Sequence, residues 1–173
     1  LDLKLHDIPN TVTGSVIAVR ELGVDFLTIH TMGGIPMMEA AAKAAGDALT
    51  LLGVTVLTSM AVSDLEVVWD RKSVSLLDES VRLTRIAKEA GLDGVVASPS
   101  EAGQLKRLVG SELLIVTPGI RLEGEDCDDQ VRFATPAYAF EAGSDYLVVG
   151  RSITRALDPV AALSLVYSQV KRP

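Results

Sequence analysis

Residues 21–30 read ELGVDFLTIH, and the same pattern returns at residues 89–97 as EAGLDGVVA and at residues 141–150 as EAGSDYLVVG. In each copy a helical stretch ends at a glycine, and a short polar link leads into a largely apolar run. Glycine adopts the left-handed conformation that closes a helix without steric cost. Runs that are apolar on both faces are typical of parallel strands covered on both sides. The repeat therefore predicts successive strand and helix units around a parallel sheet.

Six strands follow from the repeat and from the stretches between its copies. We expect them at residues 1–5, 25–30, 50–57, 94–98, 112–117 and 145–150, with helices between them. The expected fold is α/β, a (β/α)8 TIM barrel. Because a complete barrel takes about 250 residues, we expect residues 1–173 to form one barrel domain that holds six of the eight units and lacks the two N-terminal ones. A complete six-stranded doubly wound sheet is the alternative, and composition does not separate the two.

The composition limits the classes of partner. Apolar residues make up 48% of the chain and aromatic residues 4%, so the core is expected to be aliphatic. The net charge of -7 disfavours binding to nucleic acid or to anionic membranes. The chain has a single cysteine, Cys127, so no disulfide can form within it, and a reducing cytoplasm is the expected compartment. We therefore expect no nucleic-acid or membrane partner.

The first candidate site lies in residues 2–7, which read DLKLHD. Side chains alternate along a strand, so Asp2 and Lys4 point to one side. An acid and an amine inside a barrel are costly unless they pair. Asp7 follows just past the strand end, where barrel enzymes hold their active sites. One interpretation is catalysis; the other is a buried ion pair that fixes the register of the strand.

The second candidate site combines two loops that follow the last two strands. Residues 117–121 read TPGIR, and residues 148–154 read VVGRSIT. Glycine allows close approach of the backbone, and the arginines offer a planar fork to an anion. Barrels often hold phosphate between the loops after their last two strands. The pattern favours a phosphate site, and two ordinary surface arginines are the alternative.

These residues carry a resemblance to a known family. Residues 2–12, DLKLHDIPNTV, resemble the signature segment of orotidine 5'-phosphate decarboxylases. Residues 117–121, Gln130 and residues 149–151 resemble that family's phosphate-binding loops in order and spacing. The Ile-Pro-Asn-Thr continuation and the glutamine nine residues after Arg121 are the most specific features. The similarity extends over essentially the whole chain.

The resemblance implies a cofactor-free decarboxylation of orotidine 5'-phosphate to uridine 5'-phosphate in de novo pyrimidine biosynthesis, in a homodimer with shared sites. It implies that Lys4 protonates C6 of the pyrimidine and that Asp2 holds Lys4. It also implies that Asp7 and Thr11 reach into the site of the neighbouring subunit. The other implied substrate contacts are Thr58, beside Ser59, and Pro118 for the pyrimidine, and Arg121, Gln130, Gly150 and Arg151 for the phosphate.

The comparison with the family pattern also leaves points open. The family carries a ribose-binding aspartate and a further lysine on two earlier strands, and neither position exists in this sequence. His30 stands where the family has a histidine, either supporting the site or packed as a core residue. A metal site is not expected, because two histidines and one cysteine are widely separated. Two alternatives remain: a metal-dependent sugar-phosphate decarboxylase or aldolase of the same superfamily, and an inactive phosphate-binding barrel or assembly subunit.

Overall fold

A computed structural model describes residues 1–72, 74–124 and 132–170. Within these ranges five strands form one parallel sheet in sequence order. The strands are β1 (Phe26–His30), β2 (Thr50–Val54), β3 (Gly94–Val96), β4 (Leu114–Thr117) and β5 (Tyr146–Leu147). The helices are α1 (Pro9–Arg20), α2 (Ile35–Ala45), α3 (Val62–Trp69), α4 (Leu76–Glu89), α5 (Pro99–Val109), α6 (Pro136–Glu141), α7 (Arg151–Thr154) and α8 (Pro159–Val170). The repeated strand-helix order confirms the α/β class expected from the sequence.

The segment predicted as a first strand, residues 1–5, runs beside β1 without becoming a regular strand. It makes one isolated parallel bridge, between Leu5 and Ile29. The N–H of Leu5 donates to the carbonyl of Thr28 at 3.1 Å, and the N–H of His30 donates to the carbonyl of Leu5 at 2.9 Å. Lys4 interrupts the extended conformation because its φ is 50°, in the left-handed region. The pairing direction is thus as expected, but the ladder is broken at Lys4.

The five strands of the sheet stand where the sequence predicts them, and most end earlier. The predicted strand 50–57 ends at Val54, and the predicted strand 145–150 shrinks to Tyr146–Leu147. One further backbone bond continues beyond β2, from the N–H of Thr55 to the carbonyl of Val96 at 3.1 Å. The chain then turns away into the loops at the carboxyl ends of the strands.

The two faces of the sheet have different neighbours. The outward-facing strand residues are buried against the helices and form the main core, and they include Leu27, Ile29, Leu51, Val95 and Ile115. The alternate residues line a cavity on the concave face, and they include Phe26, Thr28, Leu52, Val96 and Val116. The ring centroids of Phe26 and Tyr146 lie 5.3 Å apart in an edge-to-face contact, which joins the starts of the first and last strands across the interior. The sheet is therefore curled in the manner of a barrel.

The repeated glycines close helices as predicted. Gly23, Gly91 and Gly143 have φ values of 66°, 80° and 109°. Asp158 caps the last helix, since its Oδ1 accepts hydrogen bonds from the N–H groups of Val160 and Ala161, both at 3.0 Å. In the part of the chain that is described, no helix is long and apolar enough to span a membrane.

The aspartate of the repeat has a structural role of its own. Asp93, just before β3, accepts a hydrogen bond from the N–H of Leu51 in β2 at 2.7 Å. Asp145, just before β5, accepts one from the N–H of Ile115 in β4, also at 2.7 Å. In these two of the three copies, a carboxylate just before one strand accepts a hydrogen bond from the backbone of the preceding strand in the sheet.

Candidate active site

The predicted pair of Asp2 and Lys4 forms on the concave side of the sheet. Lys4 Nζ donates to Asp2 Oδ2 at 2.5 Å. Thr28, in the middle of β1, holds this pair from the strand side. Its hydroxyl group donates to Asp2 Oδ1 at 2.7 Å and accepts a hydrogen bond from the backbone N–H of Lys4 at 2.9 Å. The alternation argument thus brings the correct two side chains together, although the backbone at Lys4 is not extended.

The electrostatics of Asp2 follow from these contacts. Partial burial raises the pKa of the Asp2 carboxyl group. The hydrogen bonds from Lys4 and Thr28, together with the charges of Lys4 and the N-terminal amine, outweigh burial and hold that pKa below its ordinary value. Asp2 is therefore a carboxylate at neutral pH and can keep the ammonium group of Lys4 oriented.

Two adjoining cavities share Lys4 and Pro118. The first, of about 340 Å³, is open to solvent, lies against the inner face of the sheet and is also lined by Asp2 and Thr28. The second, of about 230 Å³, lies at the carboxyl ends of β2, β3 and β4 and is lined by Thr58 and Ser59. Lys4 thus lies between a largely apolar interior and a polar loop. This arrangement can hold a flat polar ring close to a cation.

The two glycine-arginine loops also meet. Ser152 Oγ, in the first turn of α7, donates to the carbonyl of Ile120 at 3.3 Å. Arg121 is buried, and its Nη1 donates to the carbonyl of Ile120 at 2.9 Å. Its Nη2 is buried and has no hydrogen-bond partner within the described residues. Gly150 immediately precedes α7, whose first residue is Arg151.

The other predicted site residues have different positions. Asp7 and Thr11 are exposed, and neither lines the two cavities. Asp7 Oδ1 accepts a hydrogen bond from the N–H of Ile8 at 2.6 Å, just before α1. Arg121, Gly150 and Arg151 do not line the two cavities either. Gln130 lies outside the described residues.

His30 ends β1 beside the Asp2–Lys4 pair. Its ring centroid lies 5.3 Å from that of His6, with the planes tilted by 40°. Burial lowers the pKa of His30, and the charges of His6 and Lys4 lower it further, against the opposing effect of Asp2. His30 is therefore a neutral ring at physiological pH.

Thr28 was not among the residues proposed from the sequence. The one available signal is that it is a polar residue in the centre of the buried strand FLTIH. Threonine also favours strands because of its branched side chain, so its presence there does not by itself indicate a site. For metal binding, no three side chains of His, Cys, Asp or Glu in the described ranges are grouped to hold an ion.

The chain matches a known protein family over almost its whole length. Residues 1–166 match the model of the Orotidine 5'-phosphate decarboxylase / HUMPS family. An orotidine 5'-phosphate decarboxylase from Shewanella sediminis is 51% identical over 177 residues, with 100% of this chain and 75% of that protein covered. One from Actinobacillus pleuropneumoniae is 46% identical, with 99% of this chain and 75% of that protein covered.

Solved structures show the same similarity. The orotidine 5'-phosphate decarboxylase from Lactobacillus acidophilus superimposes with a TM-score of 0.86 at 38% identity, covering 99% of this chain and 75% of the other. The enzyme from Pyrococcus horikoshii OT3 gives a TM-score of 0.74 at 26% identity, covering 99% and 73% respectively. The resemblance therefore holds both in sequence and in three-dimensional structure.

Proposed function

The chain belongs to the Orotidine 5'-phosphate decarboxylase / HUMPS family, and from that membership we propose a role for each residue of its site. The reaction is the decarboxylation of orotidine 5'-phosphate to uridine 5'-phosphate, a step of pyrimidine biosynthesis, and the protein is a carboxy-lyase. The observation that carries the proposed roles is the Asp2–Lys4 ion pair, which shares a cavity with Pro118 and adjoins Thr58.

In the proposed mechanism the bond between C6 and the carboxylate breaks, carbon dioxide leaves, and the electron pair stays on C6. The ammonium group of Lys4 stabilises that developing negative charge and donates a proton to C6. Lys4 then regains a proton from solvent. Asp2, held by Thr28, keeps the ammonium group at the reacting carbon. No electron-accepting cofactor takes part in these steps.

The remaining contacts are proposed for the two ends of the nucleotide. Thr58 bonds the pyrimidine edge and Pro118 packs against the ring, which fits their shared cavity with Lys4. The phosphate is held by Arg121, Gln130, Gly150 and Arg151. The bond between Ser152 and Ile120 supports this assignment because it joins the two loops. Arg121 also has a buried, unsatisfied Nη2 within the described part of the chain, and leaving such a donor unpaired costs about 1–3 kcal/mol.

We further propose a cytoplasmic homodimer in which Asp7 and Thr11 of each chain act in the site of the partner. Both side chains are exposed, and both lie at or beside the start of α1. The exposure leaves them accessible to a second subunit. Asp7 and Thr11 belong to the same signature segment, residues 2–12, as Asp2 and Lys4. A partner subunit that contacts this surface therefore also approaches the cavity.

For the domain, we propose that residues 1–173 are six βα units of an eight-unit barrel. The chain spans 75% of the length of the Shewanella sediminis relative. Apolar side chains of β5 and α8 are open to solvent, including Tyr146, Val160 and Tyr167, which are 49%, 73% and 60% exposed. Such a surface fits further units packed against β5.

The decisive experiment replaces Lys4. In Lys4→Ala of the full-length protein, turnover should fall by at least about 10³-fold, because both the proton donor and the stabilising charge are lost. Calorimetry should show that uridine 5'-phosphate still binds. The matched control is Lys72→Ala, since the Lys72 side chain is 90% exposed, and it should leave turnover unchanged.

Two results would count against the assignment. Normal turnover in Lys4→Ala would remove Lys4 from the mechanism. Turnover that disappears with a chelator and returns with a divalent cation would favour the metal-dependent alternative.

A further inference from the structure

Arg132 connects three loops at the carboxyl ends of the strands. Its Nη2 donates to the carbonyl of Leu57 at 2.8 Å and to that of Val56 at 3.3 Å. Its Nη1 donates to Ser98 Oγ at 3.2 Å and forms an ion pair with Glu101. One guanidinium group thus joins the loop after β2 to the start of α5.

The ion pair is buried, so it tolerates little change in the geometry of its two side chains. The side chains of Arg132 and Glu101 are only 10% and 3% exposed. Removing one partner of such a pair leaves an uncompensated buried charge. A lysine would keep the charge, but it lacks the planar fork that bonds carbonyls and a carboxylate at once.

Glu101 is itself fixed by the helix that carries it. Its Oε2 accepts a hydrogen bond from the N–H of Ser98 at 3.1 Å, which completes a capping box at the start of α5. Because α5 packs through Leu105 and Val109 into the main core, the carboxylate is held by a rigid element. Because Arg132 is paired with this fixed carboxylate, it holds the carbonyls of Val56 and Leu57 in place.

Those carbonyls immediately precede Thr58. Thr58 lines the second cavity together with Lys4 and Pro118. A shift of the loop after β2 would move the Thr58 hydroxyl group away from the ring that it is proposed to bond. Misplacement by about 1 Å in such a site can cost about 10²-fold in rate.

We propose that Arg132 is a positioning residue for the decarboxylation: by bonding the carbonyls of Val56 and Leu57 to the buried carboxylate of Glu101, it fixes Thr58 beside Lys4. The inference rests on the proposed role of Thr58 in binding the pyrimidine. Arg132 itself does not touch the reacting atoms in this role. A substitution of Arg132 is therefore expected to lower the rate of decarboxylation only by displacing Thr58.

The test is a double-mutant cycle in the full-length protein, with Thr58→Ala, Arg132→Lys and the double variant. Each single variant should lower kcat/KM by roughly 10–100-fold, and the double variant should lose little more than Thr58→Ala alone. Calorimetry should show weaker binding of uridine 5'-phosphate to Arg132→Lys, with binding of ribose 5-phosphate unchanged. Glu101→Gln should repeat this pattern if Arg132→Lys does not fold.

The matched control is Arg82→Lys, which alters an arginine paired with the buried Glu79 at 2.7 Å and away from both cavities; it should leave kcat/KM unchanged. Losses that add fully in the double variant would overturn the inference while leaving Thr58 as a binding residue. Equal weakening of ribose 5-phosphate would also overturn it. If Thr58→Ala alone had no effect, the proposed role of Thr58 would fall, and the inference with it.

Discussion

The hydroxyl group of Thr28 serves two partners at once. It accepts a hydrogen bond from the backbone N–H of Lys4 and donates one to Asp2. One oxygen of Asp2 is thereby directed to Thr28, and the other is left for the ammonium group of Lys4. A single strand residue thus fixes both the backbone at Lys4 and the carboxylate of Asp2.

His30 gives a prediction about pH and stability. Its pKa is lowered in the folded protein by burial and by His6 and Lys4, with Asp2 opposing. The unfolded chain therefore binds a proton at His30 more readily than the folded protein does, and stability should fall as the pH drops below about 6.5. The free energy of unfolding from urea titrations should fall less between about pH 7.5 and pH 5 in His30→Gln than in the unmodified protein. Identical pH dependence in both proteins would contradict this interpretation.

The sequence predicted some of the contacts among Asp2, Lys4 and Thr28, but not all of them. The pairing of Asp2 with Lys4 follows from alternation along a strand, which is a local rule. The role of Thr28 does not follow, because its partners lie 24 and 26 residues away and come together only when the two segments pair. The left-handed backbone at Lys4 likewise has no signal in the residue type.

Close contact between neighbouring strands gives a prediction for Gly94 in β3. A Cβ at this position would lie 2.8 Å from both Cβ and the carbonyl oxygen of Leu114, and 2.9 Å from Leu52 Cδ2. The backbone oxygen cannot move without disturbing β4. Gly94→Ala should therefore lower the free energy of unfolding by about 1–3 kcal/mol, as overpacking does.

The control for this prediction is Gly14 in α1, where a Cβ would meet nothing within 4 Å. Gly14→Ala should raise stability by up to about 1 kcal/mol, because alanine favours a helix interior. Urea titrations measure both variants. If both substitutions changed the free energy of unfolding equally, close packing between β3 and β4 would not explain the effect of Gly94→Ala.

At the level of elements, the sequence predicted which segments form the sheet better than it predicted their ends. The apolar runs identify β1 to β5, and the strand residues of β1 to β4 are largely buried, as the strong apolar pattern predicts. The ends depend on where neighbouring strands stop pairing. Thr55 still bonds to Val96 beyond β2, for example, whereas the residues after it belong to the loop that carries Thr58.

The proposed homodimer gives a prediction about shared sites. If Asp7 acts in the site of the partner subunit, Lys4→Ala and Asp7→Ala homodimers should each be nearly inactive. After unfolding and refolding of the mixture, hybrid dimers should hold one site with both residues intact. Roughly a quarter of the unmodified activity should then return, as random pairing of two chains predicts. Mixtures that stay inactive while hybrid dimers form would contradict the proposal for Asp7.

The overall curvature of the molecule follows from its repeats, but the connections between distant loops do not. Repeated βα units predict a parallel sheet, and the contact of Phe26 with Tyr146 agrees with a curled one. Arg132, by contrast, contacts residues 31, 34, 75 and 76 positions away. No local pattern marks such a residue, because its partners are defined only by the folded structure.

The aspartates before β3 and β5 have a wider consequence. A slip of one residue in either strand pair would exchange the inner and outer faces, and the bonds of Asp93 to Leu51 and of Asp145 to Ile115 oppose it. Each of these two βα units thus carries the carboxylate that aligns its strand with the preceding strand of the sheet. At these two junctions the alignment is therefore carried by the unit itself, so a βα unit copied together with its aspartate could keep its register on the strand before it.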